Sequence, residues 1–133
     1  MSIPLTTTTT PVLNGMLADA AFVIGVEGGN VINVGIQFQN AAGSDITSQA
    51  SVLFYLADDA NGNVPSATAP DGGIAIGADG AMIEWTANLS GLLTSEADGD
   101  IDIDLTESGV ATWYLVLIMP NGSLVISGAI TFA

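Results

Sequence analysis

Apolar positions in this chain recur in short runs with a period of two, separated by clusters of Gly, Asn, Asp, Ser and Pro. The longest run is Thr112–Met119, TWYLVLIM. It is too short for a membrane span, and apolarity on both faces marks a buried central strand. Pro120-Asn121-Gly122-Ser123 then turns the chain. Asn-Gly can take positive φ at both central positions of a type I′ turn; alternatively, Pro120 opens a type I turn closed by a bulge at Gly122. Beyond the turn, alternation predicts Leu124, Ile126, Gly128, Ile130 and Phe132 on one bulky face. Ser123, Val125, Ser127, Ala129 and Thr131 fall on the other. Ala111–Phe132 therefore reads as a hairpin at the centre of an all-β domain.

The same periodicity predicts strands over Ala21–Val26, Val31–Gln39, Ala50–Ala57, Ile74–Ile76, Ala81–Ala87 and Ile101–Leu105. Leu89–Thr94 fits strand or loop. Ala50–Ala57 and Thr112–Met119 carry large residues on both faces, so one sheet face is expected to be buried against a second copy or another subunit. No stretch holds a helical period, and a total of roughly seven to nine strands predicts an antiparallel β-sandwich rather than a barrel. Trp85 and Trp113 lie in strand-like runs and are both expected in the core.

Residues 1–19 differ from the rest and are read as an extended N-terminal arm, leaving 20–133 as the sandwich domain. Five threonines (Thr6–Thr10) stand between Pro4 and Pro11, flanked by Ile3, Leu5, Val12 and Leu13. β-Branched residues and prolines favour extended backbone. Such a segment is either a frayed terminus or an arm that docks on a neighbouring subunit through Ile3, Leu5, Pro11, Val12 and Leu13.

Composition narrows the functional classes. The 133 residues suit one domain, and 49% hydrophobic content is enough for a core. With 14 acids and no Lys, Arg or His, the net charge is −14. No side-chain cation is available to neutralise phosphate, which argues against nucleic acid and anionic membranes as partners. There is no cysteine, hence no disulfide or thiolate metal site. The N-terminus lacks the basic and apolar regions of a secretory signal. Without His, Cys, Lys or Arg the common general bases, activated nucleophiles and oxyanion cations are missing, and no carboxylate pair stands out for glycoside hydrolysis. A non-enzymatic role is expected.

VINVGIQFQNAAGSDITSQASVLFYLADDANG resembles the B–C region of bacterial immunoglobulin-like domains of the invasin type, and IDIDLTESGVATWYLVLIMPNGSLVISGAITF resembles their E, F and G strands. The resemblance implies an Ig-like sandwich, with Tyr114 where such domains place a corner tyrosine. SVLFYLADDANG, APDGGIAIGADG and the stretch from Thr94 to the end also resemble small acidic proteins encoded among the structural genes of tailed bacteriophages. That resemblance implies a virion component, made in the host cytoplasm. Its role would be a head decoration (cement) protein bound to the major capsid protein and to copies of itself as a homo-oligomer. A neck, tail or fibre module binding the host surface is the alternative.

The densest acidic stretch is Glu96, Asp98, Asp100, Asp102, Asp104 and Glu107. Hard carboxylate oxygens suit Ca²⁺, which makes Asp98, Asp100 and Asp102 the weak metal candidates. The EF-hand pattern fails, because Ile103 and Gly109 stand where a glycine and a glutamate belong. A strand with Asp102 and Asp104 in solvent and isoleucines inward explains the same pattern, and no cofactor is expected. Asp58, Asp59, Asp71 and Asp79 lie in Gly-rich turns, where Asp serves its own backbone. GADG and PDGG lack the lysine, spacing and helix of a phosphate loop.

Overall fold

The computed structural model describes residues 15–133. The expected docking residues Ile3, Leu5, Pro11, Val12 and Leu13 lie outside that range. Ten strands are formed: β1 (Asp19–Ile24), β2 (Val31–Gln39), β3 (Ser51–Ala57), β4 (Gly73–Ile76), β5 (Ala81–Thr86), β6 (Ser90–Thr94), β7 (Asp100–Thr106), β8 (Ala111–Ile118), β9 (Leu124–Ile126) and β10 (Ile130–Phe132). They form two antiparallel sheets packed face to face, one in the order β1-β2-β7-β4, the other β10-β8-β3-β6-β5 with β9 also on β8. Lettered by position, the first sheet is A-B-E-D and the second opens G-F-C, the order of the immunoglobulin sandwich. The β5–β6 hairpin, inserted between D and E, extends the C edge.

The alternation in the sequence sets the core. Ile32, Val34, Ile36 and Phe38 of β2 and Ile101, Ile103 and Leu105 of β7 point inward from the first sheet. Val52, Phe54 and Leu56 of β3, Leu93 of β6, and Trp113, Leu115, Leu117 and Met119 on and just beyond β8 meet them from the second. Trp113 packs edge-on against Phe132, with centroids 6.1 Å apart. Its indole nitrogen donates to the Thr68 carbonyl at 3.0 Å, so the buried N–H is satisfied.

Several expectations are corrected. Trp85 is 62% exposed, not core, because β5 is an edge strand whose register shifts between Glu84 and Thr86. Leu89–Thr94 resolves as strand β6. The first strand runs Asp19–Ile24 rather than Ala21–Val26, and Leu17 already packs against the core. Only β8 of the expected central hairpin is interior; β9 and β10 are an edge. In the turn, Gly122 donates to the Met119 carbonyl at 2.8 Å and has φ +86°, while Asn121 stays at negative φ. This is the Pro120-initiated turn with a glycine bulge, not type I′.

The predicted faces of the last strand also fail, for a local reason. Val116 pairs with Ile126, whereas Trp113 pairs with Ile130, so one extra residue is inserted around Ser127–Ala129. This β-bulge reverses the phase. Val125 and Ser127 face inward before it, Ile130 and Phe132 after it, and Leu124 is exposed. Splitting the last strand in two and resolving β6 raises the count to ten.

Candidate functional site

The acidic stretch folds onto the outer side of the first sheet and the turns beside it, where its oxygens bind backbone. Asp102 accepts the N–H groups of Ala78 (2.8 Å) and Asp79 (2.6 Å) through one oxygen and the Asn33 amide (2.9 Å) through the other. Burial pushes this carboxyl up. The N–H of Asp79, the Asn33 amide and the N–H of Ala78 outweigh it and hold the group below the usual value of 3.8. Asn33 also donates to Asp104 at 2.8 Å, so one neutral amide bridges two carboxylates of β7. Asp98 accepts the Asp100 N–H at 3.2 Å, and Glu96 that of Gly80 at 3.2 Å. Burial, a hydrogen bond that the protonated Asp100 donates to Asp79 and the charges of Asp79, Asp98 and Asp102 push Asp100 up.

The candidate trio Asp98, Asp100 and Asp102 is thus brought near one corner, but its geometry serves turns. Among the described residues no group of three or more acidic side chains could hold a metal ion. Asp102, expected in solvent, instead anchors the β4–β5 turn. The second acidic group behaves alike. Asp59 accepts the N–H groups of Val64 (2.9 Å) and Asn63 (3.2 Å), which hold its carboxyl low. Asp71 accepts the Ser108 hydroxyl and N–H, which lower it as well, while Glu107 accepts the Asp71 N–H at 2.9 Å. In a chain without side-chain cations, backbone N–H groups are the available counter-dipoles.

The other side of the molecule has the opposite character. The strands of the second sheet carry one carboxylate, Glu84, which shares the parity of the inward Met82. Outward positions of β3, β5, β6, β8 and β9 carry none. Register aligns five aliphatic side chains across them. Leu124 lies opposite Ile118, Ile118 opposite Leu53, Leu53 opposite Leu92, and Leu92 opposite Ile83. Leu124 is 43%, Leu53 42% and Ile83 61% exposed, with Ile118 and Leu92 half-buried.

The neighbouring row of the same face is already covered. Tyr55 donates its hydroxyl to the Gly62 carbonyl at 2.6 Å, pinning the loop Asp58–Val64 over Val116 and Ile126. Gly62 has φ +70°, and a Cβ there would stand 3.2–3.3 Å from the Tyr55 hydroxyl, Ile126 and Val116. Part of the two-faced apolarity of β3 and β8 is therefore satisfied within the chain; the Leu124–Ile83 row is what remains. The tyrosine that clamps backbone is Tyr55, where the resemblance implied Tyr114.

Sequence reasoning located β3 and β8 as two-faced strands but missed the row. Its signal was the outward Leu53 and Ile118, yet joining them to Leu92 and Ile83 needs the register of β6, which periodicity left open. No family model, curated protein or solved structure matches this chain.

Proposed function

We propose that this chain is a non-enzymatic structural protein that attaches to a larger protein assembly through the outer face of its second sheet. The assembly that the phage resemblance singles out is a tailed-phage head, which the chain would coat as a decoration protein. The observation that carries the reading is the exposed row Leu124–Ile118–Leu53–Leu92–Ile83, on strands whose outward positions carry no carboxylate, in a chain of net charge −14. Exposed apolar surface of this kind marks protein contact sites. A protein this acidic keeps charge off the one surface where desolvating it would be costly. Copies bound side by side on a shell would then keep their charged first sheets in water.

The test is the copy number of the chain relative to the major capsid protein in purified particles, by mass spectrometry. Trypsin has no internal site, since Lys and Arg are absent, so the digest must cut at Asp or at aromatics. Near-equal copies, with attachment lost in Leu53→Asp, are expected. A few copies per particle would move the chain to a neck or fibre, and its absence from particles would end the virion reading.

A further inference from the structure

Asparagine followed by glycine occurs three times, at Asn14-Gly15, Asn61-Gly62 and Asn121-Gly122. Such a pair can react with itself, because glycine has no side chain to keep its backbone nitrogen away from the asparagine amide. Asn14 falls outside the described residues. Asn61 and Asn121 are both exposed, and the glycine after each has positive φ, +70° at Gly62 and +86° at Gly122. The surroundings of the reacting atoms differ sharply between the two.

We propose that Asn121 is a site of spontaneous deamidation, assisted by Ser123, and that the fold withholds the same chemistry from Asn61. Oδ1 of Asn121 accepts the Ser123 N–H at 2.9 Å and the Ser123 hydroxyl at 2.7 Å. When the Gly122 nitrogen gives its proton to hydroxide and attacks Cγ, negative charge develops on that oxygen, where both donors already point. Nδ2 takes a proton from water, the Cγ–Nδ2 bond breaks, and ammonia leaves behind a five-membered succinimide. Water then opens the ring at either carbonyl, giving aspartate or isoaspartate, so one water is consumed for each ammonia released. The imide nitrogen has no proton, so the bond from the Gly122 N–H to the Met119 carbonyl is lost and the turn must shift. It has room, since nothing lies within 4 Å of where a Gly122 Cβ would stand.

Around Asn61 these conditions are reversed. Gly62 is buried, and a Cβ there would stand 3.2–3.3 Å from the Tyr55 hydroxyl, Ile126 and Val116. The Tyr55 hydroxyl also holds the Gly62 carbonyl at 2.6 Å, so the peptide cannot swing towards the amide. The Asp59 carboxylate accepts the N–H groups of Asn63 and Val64 in the same loop. Its charge opposes both an anionic Gly62 nitrogen and an oxyanion on Asn61. No Asp or Glu stands in the turn of Asn121, or anywhere in the chain after Glu107. Reaction there adds one carboxylate to the 14 of the fresh chain, in the turn that leads into Leu124 of the aliphatic row.

The full-length protein is incubated at mildly alkaline pH, folded in buffer and unfolded in urea. Chymotryptic peptide mapping by mass spectrometry then reads the mass gain of amide to acid separately at Asn14, Asn61 and Asn121. In urea, local sequence alone sets the rates, and both Asn61 and Asn121 convert. In the folded chain, Asn121 should convert at least as fast as in urea. Asn61 should fall at least about tenfold below its own unfolded rate, equivalent to about 1.4 kcal/mol on the barrier. In Ser123→Ala the folded rate at Asn121 should drop about threefold against the same variant in urea, as expected for one lost hydrogen bond. Equal folded-to-unfolded ratios at Asn61 and Asn121 would overturn the proposal, as would an Asn121 that stays intact in the folded chain. An unchanged ratio in Ser123→Ala would overturn the part assigned to the hydroxyl.

Discussion

Asn33 stands opposite Asp104 on β7 and sends its two amide protons to two carboxylates, Asp102 at 2.9 Å and Asp104 at 2.8 Å. In most proteins a lysine or arginine would hold such a pair, and here none exists. An amide provides donors without net charge, which suffices at an exposed site where an ion pair would add little. Replacing it by a carboxylate removes both donors and adds a third negative charge. Asn33→Asp is expected to cost about 1 kcal/mol in urea unfolding at neutral pH and low salt, with the loss shrinking as salt screens the cluster. An unchanged midpoint would show that the bridge contributes nothing. The acidic run was legible as the solvated face of a strand. Which amide would meet it was not, because Asn33 and Asp102 are 69 residues apart and are joined only by the β2–β7 register.

The last strand shows how one element corrects its own alternation. At the bulge, the Leu115 N–H donates to the Ser127 hydroxyl oxygen at 2.9 Å, and the Ser127 N–H returns a bond to the Leu115 carbonyl at 2.9 Å. The side chain takes the place of a ladder carbonyl, and the hydroxyl passes its own proton to Gly128 at 2.8 Å. Both atoms are buried, so Ser127→Ala leaves an N–H without an acceptor. The expected loss is about 1–3 kcal/mol in chemical denaturation, and Ser127→Thr should recover part of it. If Ser127→Ala were neutral, the hydroxyl would not be holding the bulge. In sequence the serine looked like one more position on a small, partly polar face. Period-two reasoning has no means of registering an inserted residue, so everything before the bulge was assigned to the wrong side.

At the scale of the whole molecule, charge is segregated: carboxylates lie on the first sheet and in turns, and the strands of the second sheet carry only Glu84. Stability should follow pH accordingly. Asp59, Asp71 and Asp102 are held below 3.8 in the fold, so their contribution is complete above that value and is lost as pH falls through it. Asp100 is pushed above 3.8, so its ionisation weakens the fold as pH rises through that higher value. Mutual repulsion among 14 acids acts in the same direction. Thermal melts should therefore rise from pH 7 towards a maximum just above 3.8 and fall steeply below it. Added salt should raise the neutral-pH midpoint most. A midpoint declining steadily from pH 7 would contradict this. Dilute protein is needed, since protonating the carboxylates removes much of the repulsion that keeps copies apart.

The sequence by itself determined the all-β class, most strand positions, the inward faces of β2 and β7, and the absence of side-chain cations. These are local properties, carried by alternation, turn residues and composition. The tertiary structure alone decided which strands are neighbours, where the bulge reverses a face, that Trp85 sits on an exposed edge, and that five aliphatics from five strands form one row. Each depends on pairing between residues far apart in the chain, and register, unlike periodicity, is fixed by the packing of both sheets at once.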